Sequence, residues 1–89
     1  MTAKALAPLN LQAVNADVVG VYAAHDLHVG NLKRIGTVWK FKAIGYDAAG
    51  GVEPGGGPLT DRHNTVFATP DANAVNAAFH STFNDPCNL

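Results

Sequence analysis

Four of the six basic residues in this chain lie between Leu27 and Tyr46, a segment without a single acidic residue. They are Lys33, Arg34, Lys40 and Lys42. Ammonium and guanidinium groups recognise carboxylates and phosphates through charge-assisted hydrogen bonds. Aromatic and aliphatic residues alternate with these charges at the period of two that is typical of β-strands. The pattern predicts a surface that binds an anionic partner, and it does not predict a reaction centre.

The net charge of −1 conceals a separation of charge along the chain. Segment 27–46 carries +4, and the remainder has two basic residues against seven acidic ones, a net −5. We therefore expect a positive sheet face and negative loops.

The predicted binding surface has three possible roles. Its residues are Tyr22, Asn31, Lys33, Arg34, Lys40, Lys42 and Tyr46. The favoured function is a non-enzymatic interaction module that binds a protein partner, or a second copy as a homodimer. The alternative is weak nucleic-acid binding by the same face with Arg34 at the hairpin tip, for which four charges predict a log–log salt slope of about −3 to −4. In the third interpretation the lysines only keep the sheet from aggregating.

Histidine and cysteine side chains are candidates for a small metal-binding or enzymatic site. His25 and His28 lie three residues apart, and His63 or Cys87 could complete a zinc site. The predicted strand register turns His28 toward the core, which disfavours such a site. Asp61-Arg62-His63 resembles a catalytic triplet, but no glycine-rich nucleotide loop accompanies it. We expect no metal, no cofactor and no enzymatic activity.

Residues 47–61 have the composition of a loop. The run from Pro54 to Pro58 contains three consecutive glycines, which could surround a phosphate with backbone amides. A phosphate-binding loop is normally followed by Lys-Ser/Thr and a helix, whereas Leu59 and Thr60 follow here. The segment is therefore predicted to be a permissive connection between strands.

The elements that position these residues are strands joined by tight turns. Val18 to Ala24 is rich in β-branched residues, and turns are predicted at His25-Asp26 and near Ile35-Gly36. These turns pair Ala23 with His28, Val21 with Gly30, Val19 with Leu32, Leu32 with Trp39 and Gly30 with Phe41. Both turns then agree on one apolar face, which consists of Val19, Val21, Leu32, Trp39, Phe41 and Ala43. The other face consists of Val18, Tyr22, Val29, Asn31, Lys33, Val38, Lys40, Lys42, Ile44 and Tyr46.

A helix is predicted near the end of the chain. Thr69 is the expected cap, followed by Pro70 at the first helical position and by Asp71. Apolar residues recur every three or four positions over about 13 residues. They are Ala72, Val75, Phe79 and Phe83.

The predicted fold is α+β, a three- or four-stranded antiparallel β-meander with one C-terminal helix packed over the Trp39/Phe41 face. Residues 1–8 are expected to be flexible, 9–84 to form one domain and 85–89 to form a tail. Residues 9–14 permit a strand, and 63–68 predict one more. The chain has 47% hydrophobic residues, one cysteine and no long apolar run, which favours a cytoplasmic domain without disulfides or membrane contact. Its charged content of only 15% favours a homodimer.

Overall fold

A computed structural model describes residues 8–79 of the chain. Its strands are β1 (Asn10–Asn15), β2 (Val18–Ala23), β3 (Leu27–Ile35), β4 (Val38–Tyr46), β5 (Val52–Pro54) and β6 (Val66–Phe67). One α-helix, α1 (Ala72–Ala78), follows them, and two short 3₁₀ helices, Ala24–Asp26 and Thr60–Arg62, lie in the connections between strands. The predictions for the first seven residues, for Phe83, for Cys87 and for the tail 85–89 lie outside the described residues.

The strands form one antiparallel sheet in the order β1-β2-β3-β4-β5, and β6 also pairs with β4. The predicted meander with a C-terminal helix is confirmed, but the described part of the chain contains six strands, more than the three or four predicted. The possible strand at 9–14 is β1. The segment 47–61 is not entirely loop, because β5 lies within it and pairs with the last residues of β4. The strand predicted at 63–68 is limited to the two residues of β6.

The register between β3 and β4 is shifted by two residues from the predicted one. Val19 pairs with Leu32 as predicted, but Leu32 pairs with Phe41 and not with Trp39. The turn falls one residue later, with Gly36 at a φ of 64° that glycine adopts without strain. A shift of two residues leaves every side chain on its face. The predicted apolar face is therefore the core side of the sheet, with Phe41 fully buried.

Helix α1 covers this core side. The Phe79 ring packs edge-on against Phe41 at 5.0 Å and against Phe67 at 5.7 Å between ring centroids. The N-cap of α1 is Asp71, whose carboxylate accepts a hydrogen bond of 3.2 Å from the Ala74 amide. The prediction of Thr69 as the cap was wrong, since the carboxylate of Asp71 itself reaches the third amide of the helix. The helix runs from Ala72 to Ala78, and the part of the predicted helix beyond Phe79 lies outside the described residues.

A side-chain clamp joins α1 to the start of the sheet. The buried Leu9, just before β1, donates its amide to Asn76 Oδ1 at 2.7 Å, and Asn76 Nδ2 donates to the Leu9 carbonyl at 3.0 Å. Both backbone groups of Leu9 are thus satisfied by one side chain, as burial requires. The clamp holds β1, an edge strand, next to the helix.

Candidate functional site

The side of the sheet opposite α1 carries the predicted binding residues in lateral rows. Antiparallel partners in neighbouring strands project to the same side, about 5 Å apart. One such row is formed by Val18, Lys33, Lys40 and Val66, on β2, β3, β4 and β6. We call this row the lysine row. The next row contains Gly20, Asn31 and Lys42. We call the whole side that these residues share the polar face.

In the described part of the chain, no carboxylate neutralises the lysines of the polar face. Lys33 lies directly opposite Lys40, an arrangement of like charges that destabilises a sheet. Within residues 8–79 none of the three lysines forms an ion pair. Lys42 is oriented by a neutral group, since its ammonium donates to Asn64 Oδ1 at 2.6 Å. The face therefore keeps its positive charge available to a partner.

Arg34 does not lie with the other predicted binding residues. It pairs with Trp39, which places it on the helix side of the sheet. Its Nε donates to Asp17 Oδ1 at 3.1 Å, and its backbone amide donates to the Asp17 carbonyl at 2.8 Å. The polar face thus holds three lysines and not four basic residues. The prediction that Arg34 belongs to the binding surface at the tip of the hairpin was wrong.

Three predicted binding residues, Tyr22, Asn31 and Tyr46, contact His28, a residue that was predicted to point into the core. The His28 ring stacks on Tyr22 at 4.8 Å between centroids. His28 Nε2 lies 3.0 Å from Asn31 Oδ1, and His28 Nδ1 lies 2.8 Å from the Tyr46 hydroxyl. An amide oxygen only accepts, so Nε2 donates to Asn31, and in this tautomer Nδ1 accepts a hydrogen bond from the Tyr46 hydroxyl. Tyr22, His28, Asn31 and Tyr46 form one connected group, which we call the histidine cluster.

A β-bulge in β3 explains why His28 lies on the polar face. Val21 pairs with Gly30 as predicted. His28, however, pairs with Tyr22, the next residue of β2, and not with Ala23 as predicted. Val29 is the extra residue, and a bulge reverses the alternation beyond it. Val29 is completely buried, contrary to its prediction for the polar face, and His28 points away from the core. Glycine inside a strand is a common mark of a bulge, and Gly30 was the only such hint.

His63 supports the sheet and belongs to no metal-binding group among the described residues. Strands β5 and β6 pair with opposite ends of β4, and Ala43 lies in the gap between them. The Ala43 amide donates to His63 Nδ1 at 3.0 Å. His25 lies in the exposed turn between β2 and β3. Among residues 8–79 no group of three or more His, Cys, Asp or Glu side chains could hold a metal ion.

Replacing His63 with alanine should remove the acceptor of the Ala43 amide and lower the free energy of unfolding by about 1–3 kcal/mol. Asparagine can place its oxygen near the position of Nδ1, so His63→Asn should recover most of the loss. His25→Asn is the control, because asparagine tolerates the φ of 62° at that position. Urea unfolding measures the free energy of unfolding of all three variants. Equal losses in both His63 variants would show that the hydrogen bond is not the cause.

The glycine-rich segment is packed against β4 and not arranged as a phosphate-binding loop. A Cβ atom on Gly45 would lie 2.6 Å from the Gly57 nitrogen, so the two backbones touch. The Gly55 amide donates to the Ala43 carbonyl at 2.7 Å, and the Gly56 amide donates to the Glu53 carbonyl at 3.1 Å. These amides are already used within the fold. The predicted permissive connection is therefore a closely packed one.

Exposed apolar side chains gather on the polar face. Six large hydrophobic residues are exposed in the described part of the chain, and four of them lie on this face by register. They are Ile35, Tyr46, Val52 and Val66. Val66 is in the lysine row, and Val52 pairs with Tyr46 beside the histidine cluster. The face combines apolar area with lysines that form no ion pair among the residues that the structure describes.

No protein-family model, curated protein or solved structure matches this chain at a significant level. Between residues 8 and 79, no helix has the length and apolar character needed to cross a lipid bilayer. The polar face itself is therefore the basis for assigning a function.

Proposed function

We propose that this chain is a non-enzymatic interaction module whose polar face binds an acidic protein surface. The observation that carries the proposal is the coincidence of four exposed apolar side chains with three lysines that form no ion pair within residues 8–79. Apolar area at the centre of an interface supplies affinity, and complementary charge selects the partner and its orientation. Neither a cofactor nor a metal is needed for this role.

The charge of the face favours a different protein over a second copy. In a two-fold dimer the same patch is used by both subunits, so residues near the axis face their own copies. Lys33 and Lys40 would then meet the same two lysines, with no carboxylate of the face to separate them. Light scattering tests the homodimer directly. A mass twice that of the 9.3 kDa chain, halved by Tyr22→Glu, would support self-association instead.

Nucleic-acid binding is the second candidate, because lysines next to aromatic rings are the components of a phosphate- and base-binding surface. With three cations its log–log salt slope would be about −2 to −3. Tyr22 is poorly placed to stack on a base because its ring already stacks on His28. The same ring also covers Gly20, where a Cβ atom would lie 2.8 Å from Tyr22 Cε1. Anisotropy of labelled decathymidylate over a salt series measures this affinity.

The proposed function predicts that loss of one lysine charge on the polar face weakens partner binding, whereas loss of an arginine charge on the helix side does not. We expect Lys40→Gln to weaken binding of a pool of random glutamate–leucine peptides by about threefold, the effect of one partly exposed charge pair. Arg34→Gln changes the net charge equally but on the helix side, and should leave binding unchanged. Chemical-shift titration of the ¹⁵N-labelled chain measures both. Shifts confined to β1 or α1, or equal losses in both variants, would contradict the proposal.

A further inference from the structure

The lysine row has a symmetrical pattern across four neighbouring strands. Apolar Val18 and Val66 flank Lys33 and Lys40, and beyond Val18 the sheet continues with the polar Asn15 of β1. Neighbouring strands are about 4.8 Å apart, so the row is about 14 Å long. A partner that matches it must present apolar, acidic, acidic and apolar groups over the same length.

An α-helix provides this spacing and an extended strand does not. Helix positions i, i+3, i+7 and i+10 lie on one side and span about 15 Å at 1.5 Å per residue. The two central positions are four residues apart, with Cβ atoms about 5–6 Å from each other, close to the separation of two facing residues in a sheet. Four side chains on one face of an extended strand would span about 20 Å.

The rows on either side of the lysine row complete the footprint of a helix. They are about 6.7 Å away along the strands, so a helix about 10–12 Å wide reaches both. Ile35 and Val38 pair in the row toward the β3–β4 turn, and Asn31 and Lys42 pair in the other. One flank of the bound helix is therefore apolar, and the other faces a third lysine.

We propose that the lysine row is the docking site for an amphipathic helix of a partner protein, with apolar residues at i and i+10 and acidic residues at i+3 and i+7. This inference rests on the proposed function and specifies the partner. The chain's own α1, Ala72–Ala78, contains no acidic residue, so the α1 helix of a second copy does not meet this requirement.

Two alanine-based peptides test the proposal. The first has leucine at i and i+10 and glutamate at i+3 and i+7. The second has the same composition, with its glutamates moved to i+5 and i+9 on the opposite side of the helix, and circular dichroism verifies equal helicity. We expect the first peptide to bind roughly tenfold more tightly, as two charge pairs provide. Amide shifts should centre on Lys33, Lys40 and their row neighbours.

Replacing both central lysines with glutamine should reduce the affinity of the first peptide to that of the second. The variant remains folded, with a thermal midpoint equal to or above that of the native chain, because a like-charge pair is removed. Equal binding of both peptides at the polar face overturns the helical partner and leaves the proposed function standing. If neither peptide nor the random peptide pool shifts the polar face, both proposals fail. Binding of decathymidylate at this row, with neither peptide bound, assigns the face to nucleic acid instead.

Discussion

Replacing Gly57 with alanine is expected to lower the free energy of unfolding by about 3 kcal/mol or more, the sum of two separate effects. The φ of Gly57 is 84°, where an L side chain is strained. The new Cβ atom would also overlap the Ile44 carbonyl oxygen and lie 2.9 Å from the Gly45 Cα atom. Both neighbours are backbone of β4, which is paired with strands on both sides. The glycine segment must therefore separate from the sheet.

Gly50 provides a matched control for this substitution. Its φ is 86°, but a Cβ atom there would have no heavy atom within 4 Å. Gly50→Ala should therefore show the conformational strain alone, about 1–2 kcal/mol. Urea unfolding with equal m-values allows direct comparison of the two variants. If Gly50→Ala and Gly57→Ala are equally destabilised, the close backbone approach contributes nothing.

The face assignment of the central strands could be predicted because it depends only on parity. Trp39, Phe41 and Ala43 alternate with lysines, and the side-chain period of a strand is two. The predicted turn was one residue early, which shifts a hairpin register by two and leaves the faces unchanged. Phe41 is consequently buried and Lys40 lies on the opposite side, although their strand partners differ from the predicted ones.

The histidine cluster could not be predicted because parity fails at the bulge. Val29 adds one residue to β3, so every assignment from there back to the turn is reversed. Apart from Gly30, nothing in the local sequence around His28 distinguishes a regular strand from a bulged one. The bulge is favoured by contacts across strands, including burial of Val29 and the stacking of His28 on Tyr22. Tyr22, Asn31 and Tyr46 were assigned to one face, but the residue that joins them was not.

Short strands were missed for a related reason. Strand β5 has three residues, Val52–Pro54, among glycines and prolines whose composition is that of a turn. It pairs with an edge of β4 that exists only after the meander has formed. The turn before it is held by Asp47, whose carboxylate accepts from the amides of Ala49 and Gly51. Local composition identified this turn region, and tertiary pairing determined the strand.

Gly30→Ala is expected to be as destabilising as Gly57→Ala, but through the core. The new Cβ atom would overlap Phe41 Cζ and lie 2.5 Å from Cε1 of the same ring and 2.7 Å from the Lys42 carbonyl oxygen. The Phe41 ring is fully buried and packs against Phe79, so it cannot move without displacing the helix contact. Overpacking of this kind costs about 3 kcal/mol in a well-packed core.

Gly20→Ala separates this effect from the general replacement of a strand glycine. The atoms that its Cβ would meet all belong to the Tyr22 ring, a half-buried side chain on the polar face that can rotate away. We expect a loss below about 1 kcal/mol, since a flexible neighbour relieves the contact. A Gly30→Ala variant as stable as the native chain would contradict the packing of Phe41 against Gly30.

Gly30 adjoins the bulge that turns His28 outward. A folded but destabilised Gly30→Ala variant should therefore also show altered ¹⁵N shifts of the His28 ring. Such a change would link core packing to the polar face.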